Sequence, residues 1–549
     1  MIRMKWKARF LFIMVIMLAV AITLSLLDVS TILLKHDASL PITGETVDEE
    51  KTKIDLRTTK DNKIDMQGVY VKLKEDIALS QIDSENDEQV LEYFDRKNLK
   101  NVLVSEKTVP STEEETAAKG PNMSASIGSW QNVYGTRSKF FVFSAYYEEE
   151  REERRLSVIA TTVLVDSESV WCRMWTSAGS HLADVKANLL EMIEHKHKEF
   201  SGFFLYCPLE GIDLKPHSVS IVKELSMPCT NHLLVHDASR NNKYPIDDMS
   251  IALCVKPMHH NYDKVLLLIE FLEYYKLLGV SHMITYNLSI ADTTSCVLSD
   301  YQRQGFATVL PWQHDLDLDD VGDEERQVRH QNMIAALNEC LYRTTSSRFA
   351  LTVMVDLDEF IVPAHNYYTL QDMIRNIDPN FKSCKYGSYQ IRNAFFYMGW
   401  PDDVGDQATF GDTMGNTFGA TVKEDTSRND AVTATDTIRN HLITVRKTRR
   451  RKAIHDSFSR SKFICRPDLT REVGNHFVFE HEGSSAAMLV PTSSALLHHY
   501  RDDCEMDKPG CLRLTSVVDR TAHQYRQELA KQVEVTWNRL KHQCSLPDW

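Results

Sequence analysis

No C-x-x-C pair occurs among the eleven cysteines, which excludes a zinc ribbon and a thioredoxin-type redox site. No Gly-rich phosphate loop is present either, so a nucleotide would have to be held by other groups. A basic excess is also missing: 63 Lys and Arg stand against 77 Asp and Glu, a formal net charge of −14. Nucleic-acid binding wants a basic face, and this balance argues against such a partner. Much of the acidity is local, at Asp48–Glu50, Glu113–Glu115, Glu148–Glu150 and along Asp315–Glu325, and such runs read as solvated stretches. What remains is an ordinary globular composition, 43% apolar and 26% charged over 549 residues. That length allows more than one domain and a large buried core.

Charge and proline are both absent from Phe10–Leu27, FLFIMVIMLAVAITLSLL. At the helical rise this run covers roughly 27 Å, enough for the hydrocarbon core. Arg3, Lys5, Lys7 and Arg9 precede it and Asp28 follows, so the positive-inside rule sends everything after Asp28 to the lumen. A cleaved signal peptide is the competing reading. The run exceeds a usual h-region, however, and no A-x-A site follows it. The expected topology is a cytosolic tail at 1–9 and a transmembrane signal-anchor at 10–27. Sequons at Asn122-Met-Ser124 and Asn287-Leu-Ser289 are compatible with a lumenal glycoprotein. In such a compartment several cysteines can pair, in a pattern that spacing does not reveal.

Residues 28–120 are polar with little periodicity and read as a stem. Over 121–245 the runs Lys139–Ala145, Leu156–Val165 and Val170–Trp175 are β-branched and aromatic, which predicts an antiparallel, β-rich lead-in region. Beyond Pro245 strand and helix alternate. Short apolar runs at Ser250–Val255, Val280–Tyr286 and Phe306–Leu310 flank a helix predicted over Asp263–Leu278, with Asp263 as cap and Gly279 at C′. Helical spacing returns over Arg326–Tyr342, followed by the continuous apolar run Phe349–Val355, suited to a central parallel strand. The fold class expected is α/β: a mostly parallel sheet flanked by helices over 246–520, after the small β-rich region, with a C-terminal helix or tail at 521–549. Ligands in such sheets collect beyond the carboxyl ends of the strands.

Asp356-Leu357-Asp358-Glu359-Phe360 stands at that end of the last strand. A side-chain period of two would put Asp356 and Asp358 on one side and turn Leu357 back to the core. Two carboxylates so close repel unless a cation neutralises them, and a hard divalent ion, Mn²⁺ or Mg²⁺, does so. It could also hold the diphosphate of a nucleotide sugar. Asp315-Leu316-Asp317-Leu318-Asp319 offers two more D-x-D matches, in a charged, turn-rich segment that reads as a loop.

Together the stretch CVKPMHHNYDKVLLLIEFLEYYKLLGVSHMITYNLS, then GFATVLPW, NMIAALNECLYR and MVDLDEFIVP, resembles glycosyltransferase family 92. RSKFICRPDLTREVGNHFVFEH and ALLHHYRDDC match its closing segment, and KFFVFSAYYEEEREERR its lead-in, so the resemblance spans roughly 130 to 515. It implies a GT-A-type fold, a single-pass type II Golgi membrane protein, a nucleotide-sugar donor and a divalent metal, usually Mn²⁺. Asp356 and Asp358 then take the metal and diphosphate role, with His499 completing the metal and His476 as the alternative. Val255, Lys256, Pro257, Tyr286 and Asn287 would hold the nucleoside, although a glycan on Asn287 would crowd it. An inverting reaction also needs a base, for which Asp436, Asp456 and Glu472 are candidates. Arg449-Arg450-Arg451-Lys452 reads as a solvated loop, or else a grip on the donor diphosphate or an anionic acceptor. The Asp402–Ser457 segment departs from the compact family pattern and reads as an expanded acceptor-side loop.

The expected function is transfer of a hexose, galactose from UDP-galactose, onto a glycan or glycoprotein hydroxyl. A catalytically inactive, glycan-binding or scaffold member is the alternative, and a nucleotidyltransferase a third reading. The intact Asp-Leu-Asp-Glu-Phe disfavours the second; the anchor and the missing Gly-rich loop disfavour the third.

Overall fold

The computed structural model describes residues 124–548, apart from 137–139, 151–152, 164–167, 195–199, 241–248, 314–321, 365, 401–437 and 503–513. The expected anchor and stem, Asn122, the Asp315–Asp319 run, Asp436, Cys504 and Cys511 therefore lie outside the described residues. Among the described residues no helix is long and apolar enough to cross a membrane.

The lead-in is one sheet of β1 (Gln131–Asn132), β2 (Phe141–Glu150), β3 (Glu153–Val163), β4 (Trp171–Trp175), β5 (His181–Lys186), β6 (Asn188–Glu191), β7 (Phe200–Pro208), β8 (Ser218–Val222) and β9 (Leu233–Asp237). Its order is β5-β4-β8-β9-β2-β3-β7-β6, with β1 on β2. The acidic and basic ends of β2 and β3, which suggested only a solvated turn, lie opposite each other. Glu148 faces Arg155 and Glu149 faces Arg154, so unlike charges help fix the register.

Beyond it come β10 (Ile251–Cys254), α1 (Val265–Leu277), β11 (Val280–Asn287), α2 (Asp292–Arg303), β12 (Ala307–Pro311), α3 (Gly322–Ser346) and β13 (Leu351–Met354). Strand order β12-β11-β10-β13 is parallel throughout, as the alternation predicts. The sheet continues through β18 (Lys462–Cys465), antiparallel to β13, to β15 (Tyr386–Ile391) and β21 (Ala486–Leu489). A second sheet of β14 (Glu359–Pro363), β22 (Ala495–Arg501) and β16 (Asn393–Tyr397) has no counterpart in the sequence reading. Nor does the hairpin β19 (Thr470–Val473) and β20 (Val478–His481), or the pair β17 (Arg449–Arg451) and β23 (Ser516–Val518).

Alternation along each parallel strand splits the core. Ile251, Leu253, Met283, Leu351 and Val353 join the cluster under α1, whereas Cys254, Ile284 and Met354 join that under α3. Apolar on nearly every side, α1 is covered by this sheet and by the terminal helix α4 (Arg526–Leu540), whose Leu529, Val533 and Trp537 enter the same cluster. Its N-cap is Lys264, not Asp263, and no side chain caps it. Gly279 does take the left-handed conformation expected after the helix, at φ 89°.

Helix α3 is packed on two sides, because Phe143, Tyr146, Ile159 and Phe204 of the lead-in sheet share its cluster. Glu339 of α3 is fully buried and accepts the phenols of Tyr146 (2.7 Å) and Tyr286, as well as Arg343. Burial raises its pKa, but Arg343 and these donors more than offset that, leaving it below the ordinary value. Asn338, also fully buried, donates to Val473 O and accepts from Val473 N, both at 2.9 Å. Disulfides link Cys172 to Cys207 within the lead-in, Cys254 of β10 to Cys340 of α3, and Cys296 of α2 to Cys544.

Replacing Asn338→Leu should lower the unfolding free energy by about 2–4 kcal/mol, because both Val473 backbone groups lose their partner. Urea unfolding reads this directly, and an unchanged midpoint would refute the clamp. Peptide mapping without reductant should recover those three cysteine pairs; a different pairing of any of the six would contradict the arrangement.

Candidate active site

The chain runs outward from β10 to β12 and then returns to place β13 on the other side of β10. That reversal opens a crevice beyond the carboxyl ends of β10 and β13, where ligands of open α/β sheets collect. Lys256 follows β10 and Asp356 follows β13, and their side chains meet at 2.9 Å.

Asp356 and Asp358 do not continue the strand, so the period-two expectation fails. They occupy a turn between β13 and β14, closed by Glu359 N–H donating to Asp356 O (3.1 Å) and Asp356 N–H to the Glu359 carboxylate (2.9 Å). Leu357 does pack back on the core. The two aspartates consequently have different partners. Asp356 Oδ2 accepts from Lys256 and also from Lys462 Nζ (3.1 Å), an ammonium group on β18 that is buried. Burial would raise the Asp356 pKa; the two ammonium groups overcome it and hold the carboxyl well below the usual range. Burial lowers Lys462, but Asp356 and Glu359 (3.5 Å) raise it above its ordinary value. Glu359 moves up, chiefly through burial.

Asp358 instead meets His499 of β22, with Oδ2 and Nε2 3.3 Å apart. His499 Nδ1 lies 3.2 Å from both Glu359 Oε1 and the Asn393 amide. Burial disfavours the imidazolium, yet Glu359 and Asp358 leave its pKa raised. His476, the alternative, has its ring nitrogens on Ser461 O (3.2 Å) and Asn475 (3.1 Å). Burial and the ammonium groups of Lys462 and Lys256 push it well down, surroundings that do not suit a cation.

A divalent ion fits this donor set in one way. Among the described residues no three His, Cys, Asp or Glu side chains form a ready-made metal cluster. Asp358 Oδ2 and His499 Nε2 are nevertheless spaced like adjacent ligands of one ion, about 3 Å. Glu359 at Nδ1 is the outer partner that orients a ligating imidazole. Asp356 Oδ1 is buried with no hydrogen-bond partner. Such ions commonly take one or two protein ligands, with substrate phosphates and water completing the shell.

The other candidates divide. Val255 is core, and Tyr286, also buried, sends its phenol to Glu339 and its ring against Trp312, so neither side chain presents a face to a nucleoside. This corrects the expectation: both alternate inward, on opposite faces of the sheet. Pro257 is buried three residues past the end of β10, while Asn287 ends β11 with a buried, unpartnered Oδ1. Glu472 is 2% exposed and accepts from Ile193 N–H of the lead-in, which suits a bracing group and not a base open to an acceptor. Asp456 is exposed and pairs with Arg392 at 3.4 Å. Arg449–Arg451, expected in a loop, form β17 instead, paired with β23. Lys462, Glu359 and Asn393 drew no role from the sequence, although a lysine opening the apolar run Phe463–Cys465 is a signal that a buried partner is needed.

His498 points away from His499. It is 1% exposed, lies 4.3 Å from Phe396, and neither ring nitrogen has a hydrogen bond; Asp519 is 4.0 Å away. Burial pushes its pKa down to about 4. A histidine depressed from about 6.5 contributes stability in full above that pH and loses it as pH falls toward 4, by about 3 kcal/mol. His498→Phe should flatten the stability profile between pH 6.5 and 4; an unaltered acid slope would disprove this.

The model of glycosyltransferase family 92 matches residues 249–546, over half the chain and including every candidate site residue. No match was found among curated proteins. Solved structures similar to part of the chain include glucosyl-3-phosphoglycerate synthase from Mycobacterium tuberculosis with phosphoglyceric acid, at 12% identity, covering 55% of this chain and 82% of that one, TM-score 0.21. The same enzyme with Mn²⁺ and UDP-glucose gives 14% identity, coverage of 55% and 81%, and TM-score 0.21. The sequence match extends from the opening strand of the parallel sheet, past the Asp356–Asp358 turn and His499, to the terminal helix, and the chain belongs to glycosyltransferase family 92.

Proposed function

We propose that this family member is a metal-dependent hexosyltransferase that moves galactose from UDP-galactose onto a hydroxyl of a glycan or glycoprotein. The observation that carries the reading is the contact of Asp358 with His499 beside the doubly paired Asp356, at the strand-order reversal. A divalent cation held by Asp358 and His499 would neutralise the diphosphate as it leaves. Glu359, accepting from Nδ1–H, holds the His499 ring in the tautomer that keeps Nε2 available. Lys256 lies at the mouth of the same crevice and can share the diphosphate charge. Lys462 keeps Asp356 ionised, so that its free Oδ1 can accept from a donor hydroxyl or a metal-bound water.

Of the base candidates, Asp456 carries the proposal, being exposed on a segment that also places His455 against Phe395, a neighbour of His499. We place the catalytic region in the Golgi lumen, with residues 10–27 as a single-pass type II anchor. Three disulfides among the described residues support an oxidising compartment.

Full-length protein in detergent, given UDP-galactose, Mn²⁺ and a glycan mixture, should release UDP. EDTA should abolish release, and Asp358→Ala should lower it more than about 100-fold. Glycan binding that needs no metal and gives no turnover would sink the enzyme reading. Asp456→Asn should reduce kcat about 100-fold or more with little change in the donor KM; a variant with full kcat removes Asp456 as base.

A further inference from the structure

Phe395, central in β16 and buried, gathers nitrogen-rich side chains around its ring. The ring of His455 is centred 4.2 Å away and that of His499 5.3 Å, while the guanidinium carbons of Arg501 and Arg460 lie 4.6 and 5.9 Å from its centroid. Strand register explains part of this convergence. Phe395 is opposite His499 and Tyr397 is opposite Arg501, so Arg501 emerges two residues along β22 on the same face as His499. Arg451 ends β17, which packs along β16 beside Phe395, and its charge bears on His455 together with those of Arg460 and Arg501. His455 Nε2 is buried without a hydrogen-bond partner.

The turn that delivers His455 and Arg460 is held in an unusual conformation. Phe458 and Arg460 have φ of 69° and 55°, a left-handed region that disfavours side chains of that size. Buried Asn393 secures it by donating to Arg460 O (2.7 Å) and accepting from His455 N–H (2.9 Å), and Arg392 donates to His455 O (2.9 Å). The same Asn393 amide reaches His499, so one residue fixes both this turn and the edge of the candidate metal site. Backbone strain retained by buried polar groups beside a reaction centre marks a segment shaped for a ligand. Asp456 pairs with Arg392, and Asp358 and Glu359 meet His499.

We propose that Arg451, Arg460, Arg501 and His455 form an acceptor subsite for one anionic group, a sulfate, phosphate ester or carboxylate, next to the hydroxyl that is glycosylated. Guanidinium forks match the paired oxygens of all three groups, and the Phe395 face fixes two of the forks. The donor diphosphate has its own cations at the β10–β13 crevice. The cluster belongs to the β14–β22–β16 sheet and meets that crevice through His499, which touches both Asp358 and Phe395. This subsite rests on the transferase reading and narrows its acceptor to an anionic glycan.

The test uses the full chain in detergent with Mn²⁺ and UDP on an array of neutral oligosaccharides printed beside their sulfated, phosphorylated and uronate- or sialate-bearing counterparts. UDP affinity is measured in parallel by calorimetry. Anionic members should be retained about tenfold or more over their neutral parents. Arg460→Gln and Arg451→Gln, tested separately, should each erase most of that preference while UDP affinity and melting temperature hold. The array arms show which of the three anions is preferred. Equal retention of neutral and anionic members, or retention of none, overturns the subsite. A fall in UDP affinity that matches the lost glycan preference also overturns it, by assigning the cluster to the donor diphosphate. Failure of the wild-type chain to bind UDP with Mn²⁺ would instead strike the transferase reading, and the array result would stand by itself.

Discussion

Lys462 is a buried ammonium group between two carboxylates, Asp356 at 3.1 Å and Glu359 at 3.5 Å, and the site is arranged around it. An unpaired charge at that depth would be costly, and so would either carboxylate without it. The group therefore fixes where the turn after β13 closes. Glu359 is held against both Lys462 and His499, and the second of those contacts positions the imidazole beside Asp358. Asp356 and Asp358 look equivalent in an aspartate-x-aspartate motif. Here the former is bound to two permanent cations, while the latter keeps a histidine partner and more access to solvent.

The frame that carries this turn depends on α3. Cys340, Asn338 and Glu339 succeed one another on one helix, and each ties it to a different element: a disulfide to β10, backbone bonds to β19, and a carboxylate to phenols from β2 and β11. The lead-in sheet thus packs on the same helix that covers the parallel sheet, sharing one apolar cluster with it. Its role is to cover a face that a parallel sheet with a helix on top would otherwise leave to solvent.

Much of the parallel half was legible, because its signals are local. Val280–Tyr286 and Phe349–Val355 are apolar runs of strand length, and the helix between Asp263 and Gly279 declares itself through its apolar girth and its terminal glycine. The second sheet was not. Glu359–Pro363, Asn393–Tyr397 and Ala495–Arg501 lie more than a hundred residues apart at the extremes, and β22 enters only because its register sets His499 against Glu359 and Phe395. Single-strand patterns carry no information about such long-range pairing.

By itself the sequence determined the family and the α/β alternation, and it singled out Asp356, Asp358 and His499 as candidates, since each rests on residue identity in a fixed order. Tertiary structure decided how those residues divide their roles. It gave Asp356 to Lys256 and Lys462, Asp358 to His499, and drew Tyr286 and Glu472 into the interior where the motif had suggested a ligand or a base. The physical reason is that charge compensation and side-chain direction depend on which strands are neighbours, and that adjacency is settled by burial across the whole molecule.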